Sequence, residues 1–117
     1  MDNREQDNIA DKIERIRILN DVFRRTGQGG KIMITQGISQ MPLPLQAQLM
    51  SLIRQYNEFS KDNDPYREHD LGSVKLDGDN ILWKIDYYDQ RLEYGSPDPA
   101  DADVTIRVMT VMLASEY

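Results

Sequence analysis

Apolar residues recur at steps of three and four in two segments of the chain, which is the spacing of an amphipathic helix. The first segment covers residues 7–26 and ends at a glycine-rich stretch suited to a helix C-terminus. The second segment covers residues 44–59. Between them, residues 31–35 form a short run rich in β-branched side chains, which predicts a strand.

Apolar and polar residues alternate one by one farther along the chain. Residues 73–76 and 80–88 flank Asp77-Gly78, and an Asp-Gly pair between alternating runs is typical of a β-hairpin. One face of the second strand is expected to enter the core, and its side chains are Ile81, Trp83, Ile85 and Tyr87. The opposite face is partly polar and is expected to be exposed; its side chains are Leu82, Lys84, Asp86 and Tyr88.

The last segment, residues 99–115, predicts a third helix. Aspartates at positions 98, 101 and 103 suit a helix N-terminus, and the apolar side chains that follow cover two helix faces. Together the segments predict a single α+β domain over residues 1–117, in the order α-β-α-β-β-α. A small, largely antiparallel three-stranded sheet would be packed by the helices. Residues 1–8 are a candidate flexible N-terminal lead.

Composition and charge narrow the function classes. The 117 residues contain no cysteine, which excludes disulfides and cysteine–zinc sites. Because the chain lacks a signal-peptide pattern and an apolar run long enough to span a membrane, we expect a cytoplasmic protein without membrane contact. The net charge is −6, and residues 58–103 hold 13 acidic against 5 basic residues. This imbalance argues against direct nucleic-acid binding and favours a basic partner.

The polar segment 62–72 holds the single histidine and most of the candidate chemistry. A calcium-binding EF-hand starting at Asp62 fails, because its sixth position is Arg67 and its twelfth is Ser73. Asp62 or Asp64 is interpreted instead as an acceptor for nearby backbone amides in a turn. A transition-metal site would need His69 with Glu68 or Asp70, and at least one further ligand from Asp86 or Asp89. One histidine is a weak basis for such a site, so neither a metal nor a cofactor is predicted.

Two classes of function follow from these residues. An enzyme would use His69 as its proton carrier, oriented by Asp70 or Asp86, in a small hydrolase or metal-dependent reaction. A binding protein would use a surface of acids and tyrosines, and this hypothesis is favoured over the enzyme. The candidate binding residues are Asp62, Asp64, Tyr66, Glu68, His69, Asp70, Asp86, Tyr88, Asp89 and Glu93. A third hypothesis is a homodimer formed through the C-terminal helix.

Several motifs occur in one order along the chain. They are Leu19-Asn20-Asp21 with Phe23-Arg24, Asp62-Asn63-Asp64-Pro65-Tyr66 with Glu68-His69-Asp70, Trp83-Lys84-Ile85-Asp86-Tyr87-Tyr88-Asp89, Tyr94-Gly95-Ser96-Pro97-Asp98-Pro99, and Met112-Leu113-Ala114-Ser115-Glu116-Tyr117. In these motifs the sequence, from about residue 16 to residue 117, resembles the bacterial domain-of-unknown-function family 3768. Arg67 and Leu71 replace the glycine and the phenylalanine associated with that family.

The resemblance implies no activity. It implies a small accessory protein of plasmids and other mobile elements, found near antirestriction genes. An anti-defence role would follow, in which an acidic protein imitates the charge of DNA. The leading hypothesis is therefore an inhibitor that docks its acidic surface on a basic protein partner, such as the nucleic-acid groove of a defence nuclease.

Overall fold

The computed structural model describes residues 3–117, without the side chains of Asn3 and Asp7. Three helices precede or interrupt the strands: α1 (Asn3–Thr26), α2 (Gln36–Ser39) and α3 (Leu43–Arg54). The strands are β1 (Gly30–Ile34), β2 (Leu71–Leu76), β3 (Asp79–Tyr88) and β4 (Ile106–Leu113). Short 3₁₀ turns at Ala102–Val104 and Ala114–Glu116 flank β4. The predicted α+β class is confirmed.

The four strands form one mixed sheet in the order β1-β4-β3-β2. β1 runs parallel to β4, while the β2–β3 and β3–β4 pairs are antiparallel. The prediction of three largely antiparallel strands is therefore wrong in detail. The sheet gains its fourth strand from the C-terminal segment, which lies between β1 and β3.

The C-terminal segment is a strand rather than the predicted helix over residues 99–115. Its inner residues Arg107, Met109 and Val111 are buried, while Ile106 and Val108 between them are partly exposed, which is the period of a strand. A strand that lies between two others can carry apolar side chains on both faces. The resulting run of apolar residues is also what a helix that is apolar on all sides would show, so the sequence pattern did not distinguish the two. The homodimer hypothesis thereby loses the helix on which it was based.

The two long helices follow the predicted apolar stripes, but α1 begins earlier and α3 ends earlier than predicted. α1 begins at Asn3, so residues 3–8 of the candidate flexible lead are helical, while residues 1 and 2 lie outside the described residues. α3 ends at Arg54, and Tyr56 and Phe59 follow it in an irregular segment. Within residues 3–117, no helix combines the length and apolar character that a membrane span requires.

The core lies between the helices and one face of the sheet. Phe23 of α1 and Leu49 and Ile53 of α3 are buried with the inner face of the sheet, and Ile81 and Trp83 are completely buried in β3. The predicted core face of β3 is confirmed at these positions and at Ile85. The opposite face of the sheet is partly exposed, so the domain is a sheet with helices on one side.

Candidate functional site

The imidazole of His69 is held from several directions at the inner edge of the sheet. Its Nδ1 lies 2.9 and 3.1 Å from the two carboxylate oxygens of Asp21. Its Nε2 lies 3.6 Å from Oδ2 of Asp64. The ring also stacks on Phe59, with centroids 3.7 Å apart and planes 4° from parallel. The only histidine is thus a fixed part of the structure, although 22% of its side chain stays exposed.

The carboxylate of Asp21 that holds His69 is also paired with Arg24, which lies one helical turn later on α1. Arg24 Nη1 donates to Asp21 Oδ1 at 2.8 Å, and Arg24 is fully buried. Its guanidinium lies 5.3 Å from the ring centroid of Phe59 and 5.2 Å from that of Trp83, within the range of cation–π attraction. Burial alone would raise the pKa of Asp21, but hydrogen bonds from Arg24 and His69 outweigh it and lower that pKa.

A second polar network lies next to the first. It links α1, the loop that carries His69, and strands β3 and β4. Asn20 Nδ2 donates to the Tyr87 hydroxyl at 2.8 Å and to the Glu68 carbonyl at 2.9 Å, and Arg107 Nε donates to Asn20 Oδ1 at 2.7 Å. The Tyr87 hydroxyl in turn donates to Glu68 Oε1 at 2.7 Å. Burial and this bond to Glu68 raise the pKa of Tyr87 well above its usual range, so the hydroxyl stays a donor.

The loop that carries His69 has an unusual backbone. Arg67 has φ 61° and His69 has φ 55°, which lie in the left-handed region that favours glycine. Asp64 accepts the His69 backbone N–H through Oδ1 at 3.2 Å, five residues along the chain and not within a local turn before Pro65 as predicted. The family resemblance implies glycine at position 67. Glycine would adopt this left-handed conformation without the strain that arginine has there.

The candidate enzyme residues do not assemble as predicted. The carboxylates beside the imidazole belong to Asp21 and Asp64, and not to Asp70 or Asp86. Asp86 lies on the opposite face of the sheet and pairs with Lys84 at 3.3 Å. Asp70 is half-buried near Glu68, and burial, followed by the charge of Glu68, raises its pKa.

The predicted binding residues separate into internal and exposed groups. Asp64, Glu68 and Asp89 accept hydrogen bonds within the chain, Asp89 from the backbone N–H groups of residues 91 and 93. Asp62, Glu93 and Tyr66 are exposed, with 77% of Tyr66 accessible. Tyr88 is partly exposed on the outer face of the sheet. The predicted acidic surface is therefore not continuous over residues 62–70.

Sequence reasoning missed Asn20, Asp21 and Arg24 of α1 and Arg107 of β4 as site residues. A local signal existed for two of them. Asn20 lies on the apolar stripe of α1, and Arg107 has the same strand parity as buried Met109, whereas Arg24 falls mostly outside that stripe although it is buried. A polar side chain at a core position needs an internal partner.

A cavity of about 810 Å³ opens beside the exposed edge of His69. Phe59 and Pro65 provide apolar contact, Asp64 and Ser60 provide oxygens, and the basic side chains are Arg17, Lys61 and Arg67. Within the part of the chain that is described, no group of three His, Asp or Glu side chains could hold a metal ion. The cavity is thus lined mainly by cations and ring surfaces.

The chain matches the family model described as "Protein of unknown function (DUF3768)" over residues 34–116. The matched part contains His69 and all of β2, β3 and β4, whereas α1 and all but the last residue of β1 precede it. The resemblance expected from the sequence began earlier, at about residue 16. Searches among curated proteins and among solved structures found no match. Since the matched residues make up more than half of the 117, the chain belongs to the DUF3768 family of proteins of unknown function.

Proposed function

We propose that the protein is a non-enzymatic binding module that docks an acidic surface on a basic protein partner. The observation that carries the proposal is the main part of the connection between β3 and β4, residues 89–103, called here the acidic loop. It holds five acidic residues and one arginine, Arg91. Tyr94 at its tip is 73% exposed and Leu92 is 41% exposed. Exposed aromatic and acidic side chains together suit recognition of a cationic protein surface.

The acidic loop is held in one shape by its own hydrogen bonds. Asp89 Oδ1 accepts from the N–H groups of Arg91 and Glu93 at 3.2 and 3.0 Å, and Asp101 Oδ1 accepts from the N–H of Asp103 at 2.9 Å. A β-bridge between Tyr88 and Gly95 closes the first part of the loop, residues 89–94. A loop ordered before binding loses less conformational entropy on association, which favours affinity.

The charge of the acidic loop remains available for an external partner. Asp98 has a nearby cation, Lys12, at 3.9 Å, and both side chains are substantially exposed. Such a pair contributes little in water and is easily exchanged for a partner's cation. A nucleic-acid-binding protein has a concentrated positive surface of this kind, and a host defence nuclease is the partner class that the family resemblance suggests.

A small hydrolase is the second candidate, because the Asp21–His69 pair borders the cavity. A carboxylate bonded to Nδ1 is the arrangement that orients a histidine general base. Against it, the other ring nitrogen faces Asp64, and among the described residues no hydroxyl is hydrogen-bonded to the imidazole. His69→Ala removes the proposed general base, so hydrolysis that survives this substitution excludes His69 as its catalyst.

The binding proposal is tested with a labelled decaarginine peptide and fluorescence anisotropy. The loop variant combines Glu93→Gln, Asp101→Asn and Asp103→Asn, in which asparagine keeps the Oδ1 acceptor of position 101. The matched control removes the same charge elsewhere through Glu58→Gln, Asp77→Asn and Asp79→Asn. We expect the loop variant to bind about tenfold more weakly than the control, and affinity to fall steeply with salt. Equal losses in both variants, or binding insensitive to salt, would refute the proposed surface.

A further inference from the structure

The cavity beside His69 has the opposite charge to the rest of this acidic protein. Arg17 comes from α1, whereas Lys61 and Arg67 come from the segment between α3 and β2, and all three line the cavity. None of the three forms an ion pair with a carboxylate of residues 3–117. In a chain of net charge −6, three cations without carboxylate partners in one cavity need an explanation.

The one acidic side chain of residues 3–117 that lines the cavity, Asp64, offsets only part of this charge. Asp64 is buried, accepts the His69 N–H at 3.2 Å and lies 3.6 Å from His69 Nε2. Glu68 lies between the two cavity residues of the loop, but its carboxylate accepts the Tyr87 hydroxyl instead. Asp64 and Glu68 are therefore directed to internal partners, and the cations remain on the cavity surface.

The backbone presents the basic side chains in a defined arrangement. Left-handed conformations at Arg67 (φ 61°) and His69 (φ 55°) place both residues on the cavity wall. Arg17 Nη1 donates to the Arg67 carbonyl at 3.2 Å, which ties α1 to the loop. Non-glycine residues in the left-handed region are strained, and such strain is concentrated at binding and catalytic sites.

We infer that this cavity binds the phosphate group of a small molecule, with a nucleoside monophosphate as the model ligand. Arginine forks match the geometry of phosphate oxygens, and two arginines with a lysine suit a dianion better than a single carboxylate. The cavity volume of about 810 Å³ lies in the range of small-molecule sites. Phe59 and Pro65 offer apolar contact to the remainder of the ligand. This site is separate from the acidic loop and does not depend on its proposed role.

Isothermal titration calorimetry with adenosine monophosphate, inorganic phosphate and acetate at constant ionic strength tests the inference. The site variant is Lys61→Gln/Arg67→Gln, in which both positions are exposed and glutamine keeps a similar backbone preference. The matched control is Arg54→Gln/Lys75→Gln, which removes the same charge at exposed positions outside the cavity. Circular dichroism spectra of both variants serve as the check that they are folded.

We expect both phosphate ligands to bind more tightly than acetate, and the site variant to lose about tenfold or more in affinity while the control changes less than about twofold. Tighter binding of adenosine monophosphate than of phosphate assigns the site to a phosphate ester, and equal binding assigns it to free phosphate. The inference is overturned if neither phosphate ligand binds at about 10 mM, if acetate binds equally well, or if both variants lose the same affinity. The decaarginine assay of the acidic loop should be unaffected by the site variant, so the two proposals can fail independently.

Discussion

Removing the carboxylate of Asp21 tests the structural account of the site most directly. Asp21 lies 2.8 Å from Arg24 Nη1 and 2.9 Å from His69 Nδ1, and it is the only carboxylate of the described residues paired with Arg24. Asp21→Ala would therefore leave a fully buried guanidinium without a counter-ion. It would also release the imidazole from its orienting partner.

The expected cost follows from the burial of Arg24. Breaking a buried ion pair by removal of one partner destabilises a protein by roughly 3–5 kcal/mol, because the remaining charge stays in a poorly solvated place. A small domain has a total stability of about 5–15 kcal/mol, so this loss is a large fraction of it. In Asp21→Ala/Arg24→Met the buried charge is absent, and we expect this double variant to be more stable than Asp21→Ala alone.

Urea denaturation followed by circular dichroism measures the free energy of unfolding of each variant. Asp11→Ala is the matched control, because Asp11 is exposed on the same helix, and its change should stay within about 0.5 kcal/mol. The reasoning is refuted if Asp21→Ala costs less than about 1 kcal/mol, or if Arg24→Met added to it lowers stability further.

The same substitution changes the dependence of stability on pH. The pKa of Asp21 in the folded state lies below its ordinary value of 3.8. Its contribution is therefore present above about pH 4 and is lost as the pH falls through the folded-state pKa. The difference in unfolding free energy between the wild-type protein and Asp21→Ala should narrow in this acidic range, and a constant difference down to about pH 2 would contradict the assigned shift.

Three further substitutions, and a control for one of them, test individual features of the structure. Arg67→Gly should raise the unfolding free energy by roughly 0.5 kcal/mol, since relief of the left-handed strain exceeds the entropy cost of glycine, and a loss in urea denaturation would contradict this. Gly72→Ala should lower the melting temperature, with a cost of roughly 1–3 kcal/mol, because the added Cβ would overlap the buried indole of Trp83. Gly78→Ala is its control: the added Cβ lies in open space and meets only the strain of φ 84°, roughly 1 kcal/mol. Gly72→Ala should therefore cost more than Gly78→Ala, and an equal effect at both glycines would refute the steric reason. Asp70→Asn should stabilise the protein at pH 7, because burial raises the pKa of this carboxyl and disfavours its charged form. That gain should disappear below its ordinary pKa of 3.8, as measured by denaturation at both pH values.

Features governed by neighbouring residues were predictable from the chain alone. The Asp77-Gly78 turn has φ 54° and 84°, the left-handed pair expected of a tight hairpin, and β2 and β3 pair around it as predicted. The stripes of α1 and α3 likewise follow from local periodicity. The C-terminal strand could not be distinguished from a helix in this way, because its identity depends on pairing with β1 and β3.

The candidate site shows the same division at the level of single side chains. His69 could be singled out from the sequence, since it is the only histidine and lies in the most polar segment. Its partner Asp21 lies 48 positions earlier, and no spacing rule connects the two. Asp70 and Asp86, which are closer in sequence, point elsewhere because the left-handed turn at residues 67–69 and the strand alternation of β3 direct them away.

The amino-acid sequence alone thus determined the α+β class, the hairpin, the two helical stripes and the uneven charge, because each depends on residues a few positions apart. The folded chain determined which acids are neutralised internally, which remain exposed in the acidic loop, and which cations meet in the cavity. Those outcomes depend on packing α1 against a loop and a sheet distant in sequence. A carboxylate or a guanidinium takes its role from the groups that surround it in space.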